Sequence, residues 1–437
     1  MKKKPKQGKK KKRKLVMLKS SALIYAVFLM LIISIICGSA MMNNYFHHVY
    51  IDKAVEKQRV LTNLNSAVNL YLDVPKILEP GQQRIINLYD EENDQVTLSL
   101  KPWGMYCILT ATSGWKNWEV SKSALIGDDI LDDDPIALYL PDQNDYLSLC
   151  GNTVIKGTVS LSKLGTKRAY IEGKSFSGSK MIDGEIKISS RSLPEIDKRI
   201  IEAHKEMLKF QKPVRTDSVR LYEEFANRDT ISNSFVKKTL ILDCVTKILS
   251  DKVISGNIII KSSIPVEIDN TLILDDIIVY APSITIKKEF TGKAQFFVRD
   301  SLLMEEKCTL RYPSCVGLIN DEKNNDKTPF LTIDKDCEIS GCVFLYYDSR
   351  DFKKHGRIVI NQDTRIFGQV YSNDLLQLSG EVYGSVYCNR FILKTASSIY
   401  ENHLLDAVID ITKLPPEYVG VSLLEESNKK EVIKWLN

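Results

Sequence analysis

The first strong pattern in the chain is an uncharged, apolar run near its start. Residues 20–50 contain no Asp, Glu, Lys or Arg, and the most apolar part is residues 22–42, ALIYAVFLMLIISIICGSAMM. As a helix those residues would be about 31 Å long, which matches a hydrocarbon core of about 30 Å. Because lipid offers the backbone no hydrogen-bond partners, we predict a transmembrane helix over residues 20–42.

The pattern then becomes amphipathic. Between residues 50 and 72 apolar side chains recur at the i, i+3/i+4 spacing of one helix face, and Pro75 bounds the segment. This predicts a second helical segment over residues 43–75, without a break after the membrane segment. The apolar positions are Ile51, Ala54, Val55, Leu61, Leu64, Val68 and Tyr71.

A second pattern, [Ile/Val]-x-Gly-x-[Ile/Val], occurs six times between residues 155 and 386. The last two copies extend to IFGQVYSN (366–373) and VYGSVYCN (382–389). Each copy alternates apolar and polar positions, as a strand with one buried face does, and glycine permits a bend or a close backbone approach. The repeat glycines are Gly157, Gly184, Gly256, Gly341, Gly368 and Gly384.

One such unit cannot bury its apolar face alone, whereas stacked units form a continuous core. We therefore predict a mainly β protein with an N-terminal α-helix and a right-handed parallel β-helix, or solenoid, in the C-terminal half. A β-sandwich with recurring glycines is the alternative. Residues 193–250 are predicted to be a helical insertion, because five apolar or His side chains share one helix face: Ile196, Ile200, Ile201, His204 and Leu208.

These patterns predict eight segments. They are a polybasic tail (1–19), the transmembrane helix (20–42), the amphipathic helix (43–75), a small β-rich domain (76–150), the first β-helix turns (151–192), the helical insertion (193–250), the main β-helix (251–410) and a C-terminal tail or cap (411–437).

Charge refines the topology. Residues 1–19 hold eleven Lys and Arg and no acid, so the other 418 residues carry −6 although the whole chain carries +5. A nucleic-acid partner is not expected, and the tail is predicted to contact anionic lipid headgroups of the bilayer. The positive-inside rule puts the N-terminus in the cytoplasm and the bulk of this single-pass protein outside the inner (cytoplasmic) membrane.

Two alternatives to a retained anchor exist. Gly38-Ser39-Ala40 is a small-x-small site of the kind found in cleaved signal peptides, although the apolar run is long for one. A lipoprotein is disfavoured, because Ile35 and Ile36 precede Cys37 where a small residue is expected.

Nine Cys are spread along the chain, mostly among apolar neighbours. Buried thiols are favoured over disulfides, for which Cys308–Cys315 and Cys337–Cys342 are the candidate pairs, and over metal binding. The acidic stretch of Asp128, Asp129 and Asp132–Asp134 is read as a solvated loop rather than a calcium site, because its spacing does not match an EF-hand.

Catalytic motifs are missing from the sequence: it contains no G-x-S-x-G, H-E-x-x-H or phosphate-binding P-loop pattern. We expect no enzymatic activity and no cofactor. A glycan-active β-helix enzyme would need paired carboxylates, for which Asp334, Asp336 and Glu338 are the candidates. A carbohydrate-binding adhesin would use an aromatic stripe containing Tyr371 and Tyr383.

The N-terminal pattern resembles a known family. Basic residues, Ser21-Ala22-Leu23, the apolar run and Asn65-Ser66-Ala67 look like the N-terminal helix of PilX/GspK-type minor pilins and pseudopilins. Lys19 stands where prepilin cleavage needs a small residue. The resemblance implies that the helix packs against other pilin-like or envelope proteins.

The glycine repeat resembles the β-helix of bactofilins, which form polymers. Filament formation is not carried over, because this domain is expected outside the cytoplasm. Together the resemblances imply a non-enzymatic, membrane-anchored structural protein of the cell envelope.

Overall fold

The structure is a computed structural model that describes residues 20–89, 94–115, 118–131, 134–209, 218–321, 328–348, 353–424 and 429–436. The chain divides into two compact units, residues 1–62 and 63–437. The predicted polybasic tail lies outside the described residues, as do Asp132 and Asp133 of the acidic stretch.

The N-terminal pattern forms one helix, α1 (Ser20–Asp73), with no break at residue 42. Its most apolar 18-residue window has a mean hydropathy of 2.5, so by length and composition α1 can cross a membrane. The predicted long N-terminal apolar helix is confirmed.

The first sheet is antiparallel and has five strands. Their order is β1–β2–β3–β4–β30, with bounds β1 (Gln83–Asn87), β2 (Gln95–Trp103), β3 (Tyr106–Trp115), β4 (Trp118–Asp128) and β30 (Lys430–Leu436). The C-terminal end of α1 lies against it: Asn63 Nδ2 donates to Asp94 Oδ1 at 2.9 Å, and Lys122 Nζ to Asn65 Oδ1 at 2.7 Å. Leu64, Ala67, Val68 and Tyr71 are buried there.

This sheet corrects two predicted boundaries. The small β-rich domain does not extend to residue 150, because the strands Ile136–Tyr139 and Leu147–Cys150 pair in parallel with C-terminal strands outside this sheet. Residues 411–437 are not a separate tail, because β30 pairs antiparallel with β4. Such a pairing joins residues about three hundred positions apart, and no local pattern reveals it.

Most of the other strands form a large parallel stack, beside which lie a three-stranded parallel sheet, β28–β6–β9, and a hairpin, β10–β11. Their bounds are β5 (Ile136–Tyr139), β6 (Leu147–Cys150), β7 (Val154–Lys156), β8 (Thr158–Leu161), β9 (Thr166–Arg168), β10 (Tyr170–Ile171), β11 (Lys174–Ser175), β12 (Ile186–Ile188), β13 (Val219–Leu221), β14 (Thr230–Asn233), β15 (Leu240–Cys244), β16 (Ile248–Leu249), β17 (Val253–Ser262), β18 (Val266–Ile268), β19 (Ile273–Ile286), β20 (Thr291–Met304), β21 (Thr309–Asp321), β22 (Phe330–Ile333), β23 (Glu338–Asp348), β24 (Arg357–Ile360), β25 (Arg365–Leu378), β26 (Glu381–Lys394), β27 (Ile399–Glu401), β28 (His403–Leu405) and β29 (Val408–Asp410). The described antiparallel pairs in this part are β10–β11 and β26–β27.

Equivalent residues of successive strands pair in register, so like side chains lie above one another. One line of paired residues, which we call the core column, runs through the whole stack. It consists of Leu242, Ile260, Val279, Phe296, Val316, Val343, Val370, Val386, Leu138, Val159 and Ile186. Neighbouring layers also pair through a second face, as β18 does with β19, so the hydrogen-bonded network closes on itself in circuits.

The order of the stack corrects the prediction that residues 151–192 are its first turns. β5 pairs with β26, β7 with β29, and β12 follows β8, so these early strands extend the stack beyond its C-terminal strands. A repeated apolar pattern marks each layer but carries no information on which layer is its neighbour.

The predicted helical insertion over residues 193–250 is also wrong in most of its length. Among the described residues of this range, the only α-helix is α2 (Lys198–Leu208), which is capped by Asp197, whose side chain accepts from Arg199 N. From β13 to β16 the chain forms short strands that pair into the parallel stack. Strands of two to five residues are too short to show a recognisable periodicity.

Candidate functional site

Three repeat glycines lie directly above one another on the stack. Gly341 pairs with Gly368 and Gly368 with Gly384, and their φ angles are +147°, +140° and +150°. A Cβ on Gly368 or Gly384 would lie 2.0 or 1.9 Å from the carbonyl oxygen of the preceding glycine. Neither the backbone angle nor the space admits a side chain, so these positions require glycine.

The other repeat glycines are also constrained by close contacts: Gly184 and Gly256 by a backbone carbonyl oxygen, and Gly157 by the side chains of Ile411 and Ala137. Gly157 and Gly256 have φ of +115° and +90°. Gly184 has no such angle, but its Cβ would lie 2.1 Å from the carbonyl oxygen of Gly157. All six therefore occupy places where two layers approach closely, and their role is structural.

The two tyrosines predicted to form a binding stripe are not available for one. Tyr371 is 2% exposed and donates its hydroxyl to Pro194 O at 2.9 Å, and burial raises its pKa. Tyr383 is 9% exposed and its hydroxyl contacts Glu381 and Lys413. The structure therefore does not support a binding stripe at these two positions: the segment of Pro194 covers Tyr371, and Glu381 and Lys413 hold the Tyr383 hydroxyl.

Buried polar side chains fix two other segments on the stack, the β2–β3 turn and the segment that contains Tyr418 and Val421. Gln295 donates to Trp103 O at 3.2 Å and accepts from Met105 N at 2.8 Å, which holds the β2–β3 turn on the stack. Gln369 Oε1 accepts from Val421 N at 2.7 Å, and Tyr418 donates to Gly341 O at 3.0 Å. Sequence patterns miss these residues, since their partners are backbone groups far away in the chain.

His204 of α2 is another buried polar side chain. It is 2% exposed, lies 4.1 Å from Phe297 between ring centroids, and its Nδ1 is 2.9 Å from the Tyr280 hydroxyl. Burial lowers the pKa of His204 to about 3, so the imidazole is neutral at ordinary pH. It joins α2 to the stack through its contacts with Tyr280 and Phe297.

A corner of the stack carries a second repeated feature that the sequence analysis missed. Glu289, Lys307, Asp336 and Asp363 have φ of +65°, +60°, +59° and +59°, and each precedes a fully buried side chain. The buried residues that follow them are Phe290, Cys308, Cys337 and Thr364. A polar residue followed at once by a small or apolar one, between two strands, is the signal that would have revealed this corner.

Three of these corner side chains donate to the carbonyl of the preceding layer. Cys308 Sγ donates to Lys287 O and Cys337 Sγ to Glu305 O, both at 3.1 Å, and Thr364 Oγ1 donates to Asp334 O at 2.6 Å. The neighbouring Cys308 thiol and burial raise the pKa of Cys337. All nine cysteines are free, and seven are buried. The close neighbours are Cys308 with Cys337 and Cys315 with Cys342, rather than the two candidate pairs of the less favoured disulfide interpretation.

The candidate carboxylates do not form a catalytic pair. Asp334 and Asp336 lie in the corner turn and not on one strand face, whereas Glu338 begins β23 and lies 3.1 Å from Arg365. In the acidic stretch, Asp128 pairs with Lys430, Asp129 with Lys429 at 3.1 Å, and Asp134 with Lys187. The described residues contain no cluster of three or more His, Cys, Asp or Glu placed to hold a metal ion.

No protein-family model and no curated protein matches the chain. Among solved structures, the chain is distantly similar to the competence-associated pilin ComZ from Thermus thermophilus. The sequence identity is 9% and the TM-score 0.25, over 81% of this chain and 88% of that one. A similarity at this level neither defines the fold nor assigns a function.

Proposed function

We propose that this protein is a membrane-anchored, pilin-like structural subunit of the cell envelope, in which α1 holds the chain in the cytoplasmic membrane. The parallel strands form a right-handed β-solenoid outside the cytoplasm. Its role is assembly, without catalytic turnover, and its partners are lipid and other pilin-like helices.

One observation supports this proposal most directly. The large apolar side chains of α1 between Leu23 and Phe46 are 37–75% exposed. Soluble proteins rarely expose so long an apolar surface, because each buried CH₂ contributes about 0.8 kcal/mol. Lipid and neighbouring helices of the same character are environments that cover it.

The solenoid part is supported by the in-register parallel pairing of the core column and of Gly341, Gly368 and Gly384. Right-handed connections between parallel strands are strongly preferred, because a right-twisted strand feeds them naturally.

Extraction from native membranes in a mild detergent, followed by size measurement and mass spectrometry, tests the assembly role. We expect a complex that contains other proteins with pilin-like helices. Recovery of a lone monomer would refute it. Replacing Ile32 and Ile33 with Lys should release the protein from carbonate-washed membranes, whereas replacing the exposed Tyr170 of the second unit with Lys should not.

Two further measurements complete the test. Intact mass distinguishes a retained N-terminus from cleavage after Ala40 or near Lys19. Incubation of the full-length protein with a panel of cell-wall and acidic polysaccharides should yield no product, and release of any oligosaccharide would overturn the non-enzymatic role.

A further inference from the structure

The parallel stack has an open edge at β12. Among the described strands, β12 pairs with β8 alone, in the register Ile186↔Val159 and Ile188↔Leu161. Val159 N donates to Glu185 O, and Ser189 N to Leu161 O, both at 2.8 Å. Because alternate residues of a parallel strand direct their backbone groups to opposite edges, the N–H and C=O groups of Ile186 and Ile188 face away from β8.

The side chains at this edge keep the register of the core but lack cover. The ten preceding members of the core column, from Leu242 to Val159, are each 0% exposed, whereas Ile186 is 53% exposed. Ile188 is 75% exposed although its partner Leu161 is 1% exposed. β12 therefore has the composition of an interior layer and the position of an outer one.

The opposite end of the stack is closed by contrast. There the line of the core column continues to Arg220, which pairs with Leu242 and lies 3.7 Å from Glu224. The 3₁₀ turn Tyr222–Phe225 covers the apolar core at that end, with Tyr222 buried. Solenoids need polar caps on their terminal layers, and the described residues form such a cap at the β13 end but leave Ile186 and Ile188 exposed at the β12 end.

Charge around the open edge selects the partner. Residues 163–191 contain seven Lys and Arg and three acids, on a chain whose residues 20–437 carry −6. Three of the seven bases are ion-paired, Lys174 with Asp406, Lys180 with Asp183 and Lys187 with Asp134. The other four are exposed in the last layers of the stack, between β8 and the residues that follow β12: Lys163, Lys167, Arg168 and Arg191. A segment bound at this edge gains most if it is acidic.

We propose that the edge of β12 binds an extended acidic peptide segment of another protein. The segment adds one strand to the stack, takes up the backbone groups of Ile186 and Ile188, and covers their side chains with alternating apolar residues of its own. A second copy of this chain fits less well. Its β13 end is capped, and pairing two β12 edges would bury four isoleucines, far less than the roughly 1,600 Å² of a standard interface. This proposal goes beyond the scaffold role and does not depend on it.

A defined probe tests the proposal. We would measure binding of a fluorescent nine-residue peptide of alternating Glu and Val to the full-length protein in detergent at low salt. The controls are a block-ordered peptide of the same composition and an alternating Lys/Val peptide. We expect the alternating acidic peptide to bind at least tenfold more tightly than either control, and to slow hydrogen exchange at the amides of Ile186 and Ile188.

Two variants locate the site. Ile188→Lys should weaken binding at least tenfold. Ile186→Pro should do so as well, since it removes an outward N–H and leaves the pairing with β8 intact. The matched control is Ile273→Lys, because Ile273 is also an isoleucine that is 53% exposed, on another strand. The far-UV circular dichroism of each variant confirms folding.

Three results would overturn the proposal. The first is equal affinity of the protein for the three peptides. The second is a loss of peptide affinity in Ile273→Lys as large as that in Ile188→Lys. The third is concentration-dependent dimerisation that Ile188→Lys abolishes, because this would assign the edge to a second copy. None of these three measurements depends on membrane association. A failure of the peptide-binding proposal can therefore be distinguished from a failure of the scaffold role.

Discussion

Replacing Gly384 with alanine tests whether close approach of neighbouring layers holds the stack together. Gly384 has a φ of +150°, a region populated almost only by glycine. An added Cβ would lie 1.9 Å from Gly368 O and 2.8 Å from Gly368 C, both backbone atoms that cannot rotate away. The alanine variant must therefore change its backbone angles and also separate β25 from β26.

The two costs can be estimated separately. Forcing alanine into this backbone region costs about 1–3 kcal/mol. Relieving the contact with Gly368 breaks the hydrogen bonds on either side of it, at about 1 kcal/mol each. The sum is about 3–5 kcal/mol, a large part of a typical stability of about 5–15 kcal/mol.

Gly173 provides the matched control. It has a φ of +80°, and an added Cβ would meet no atom within 4 Å. Gly173→Ala therefore incurs only the backbone cost of about 1–2 kcal/mol.

Urea denaturation of the full-length protein in detergent measures the difference. The four tryptophans, at positions 103, 115, 118 and 435, lie on strands of the antiparallel sheet, so their fluorescence reports that sheet. Far-UV circular dichroism reports the parallel stack as well. We expect the circular dichroism midpoint of Gly384→Ala to fall by about 1 M urea or more. Equal midpoints for Gly384→Ala and Gly173→Ala would refute the reasoning.

Three other predictions follow from buried groups. Since the pKa of His204 is about 3 in the folded chain and about 6.5 when unfolded, protonation favours unfolding, and stability is lost as pH falls below 6.5. By pH 4.5 the loss is about 3 kcal/mol, and urea midpoints against pH should show it in the natural protein but not in His204→Leu/Tyr280→Phe. Gln295→Leu leaves Trp103 O and Met105 N without their partner and should cost about 2–4 kcal/mol with a changed tryptophan emission, whereas the exposed Gln82→Leu should cost less than about 0.5 kcal/mol. Seven of the nine thiols are buried, so brief maleimide treatment of the folded protein should add at most two labels, measured by intact mass. Treatment after denaturation without reductant should add nine labels. A smaller number after denaturation would reveal disulfides.

The features of this fold that could be predicted are those determined by residues close together in sequence. The helix follows from an apolar run, and the spacing of Ile366, Gly368 and Val370 indicates a strand with one buried face and a close approach at its glycine. Both features depend on residues within a few positions of one another.

The parts that could not be predicted depend on distant partners. Val159 has the same flanking pattern as Val343, so its sequence does not show that it stacks on Leu138 beyond the C-terminal strands. The sequence around Tyr371 does not show that this side chain is buried, because its hydrogen-bond partner, the carbonyl of Pro194, lies far away in the chain. The open edge at β12 has the same cause, because its Ile-x-Ile pattern is that of a covered layer.

The pairing order of the stack also determines which strands can pair first while the chain is being synthesised. β8 and β12 are made early, yet the partners that connect them to the rest, β26 and β29, are encoded about 200 residues later, an interval of roughly 10–40 s at ordinary translation speeds. In that interval the early strands cannot pair with β26 and β29, and their unpaired edges are prone to aggregation. We therefore expect newly made chains to require a holding chaperone, and pulse-labelled chains to become protease-resistant first between β17 and β25.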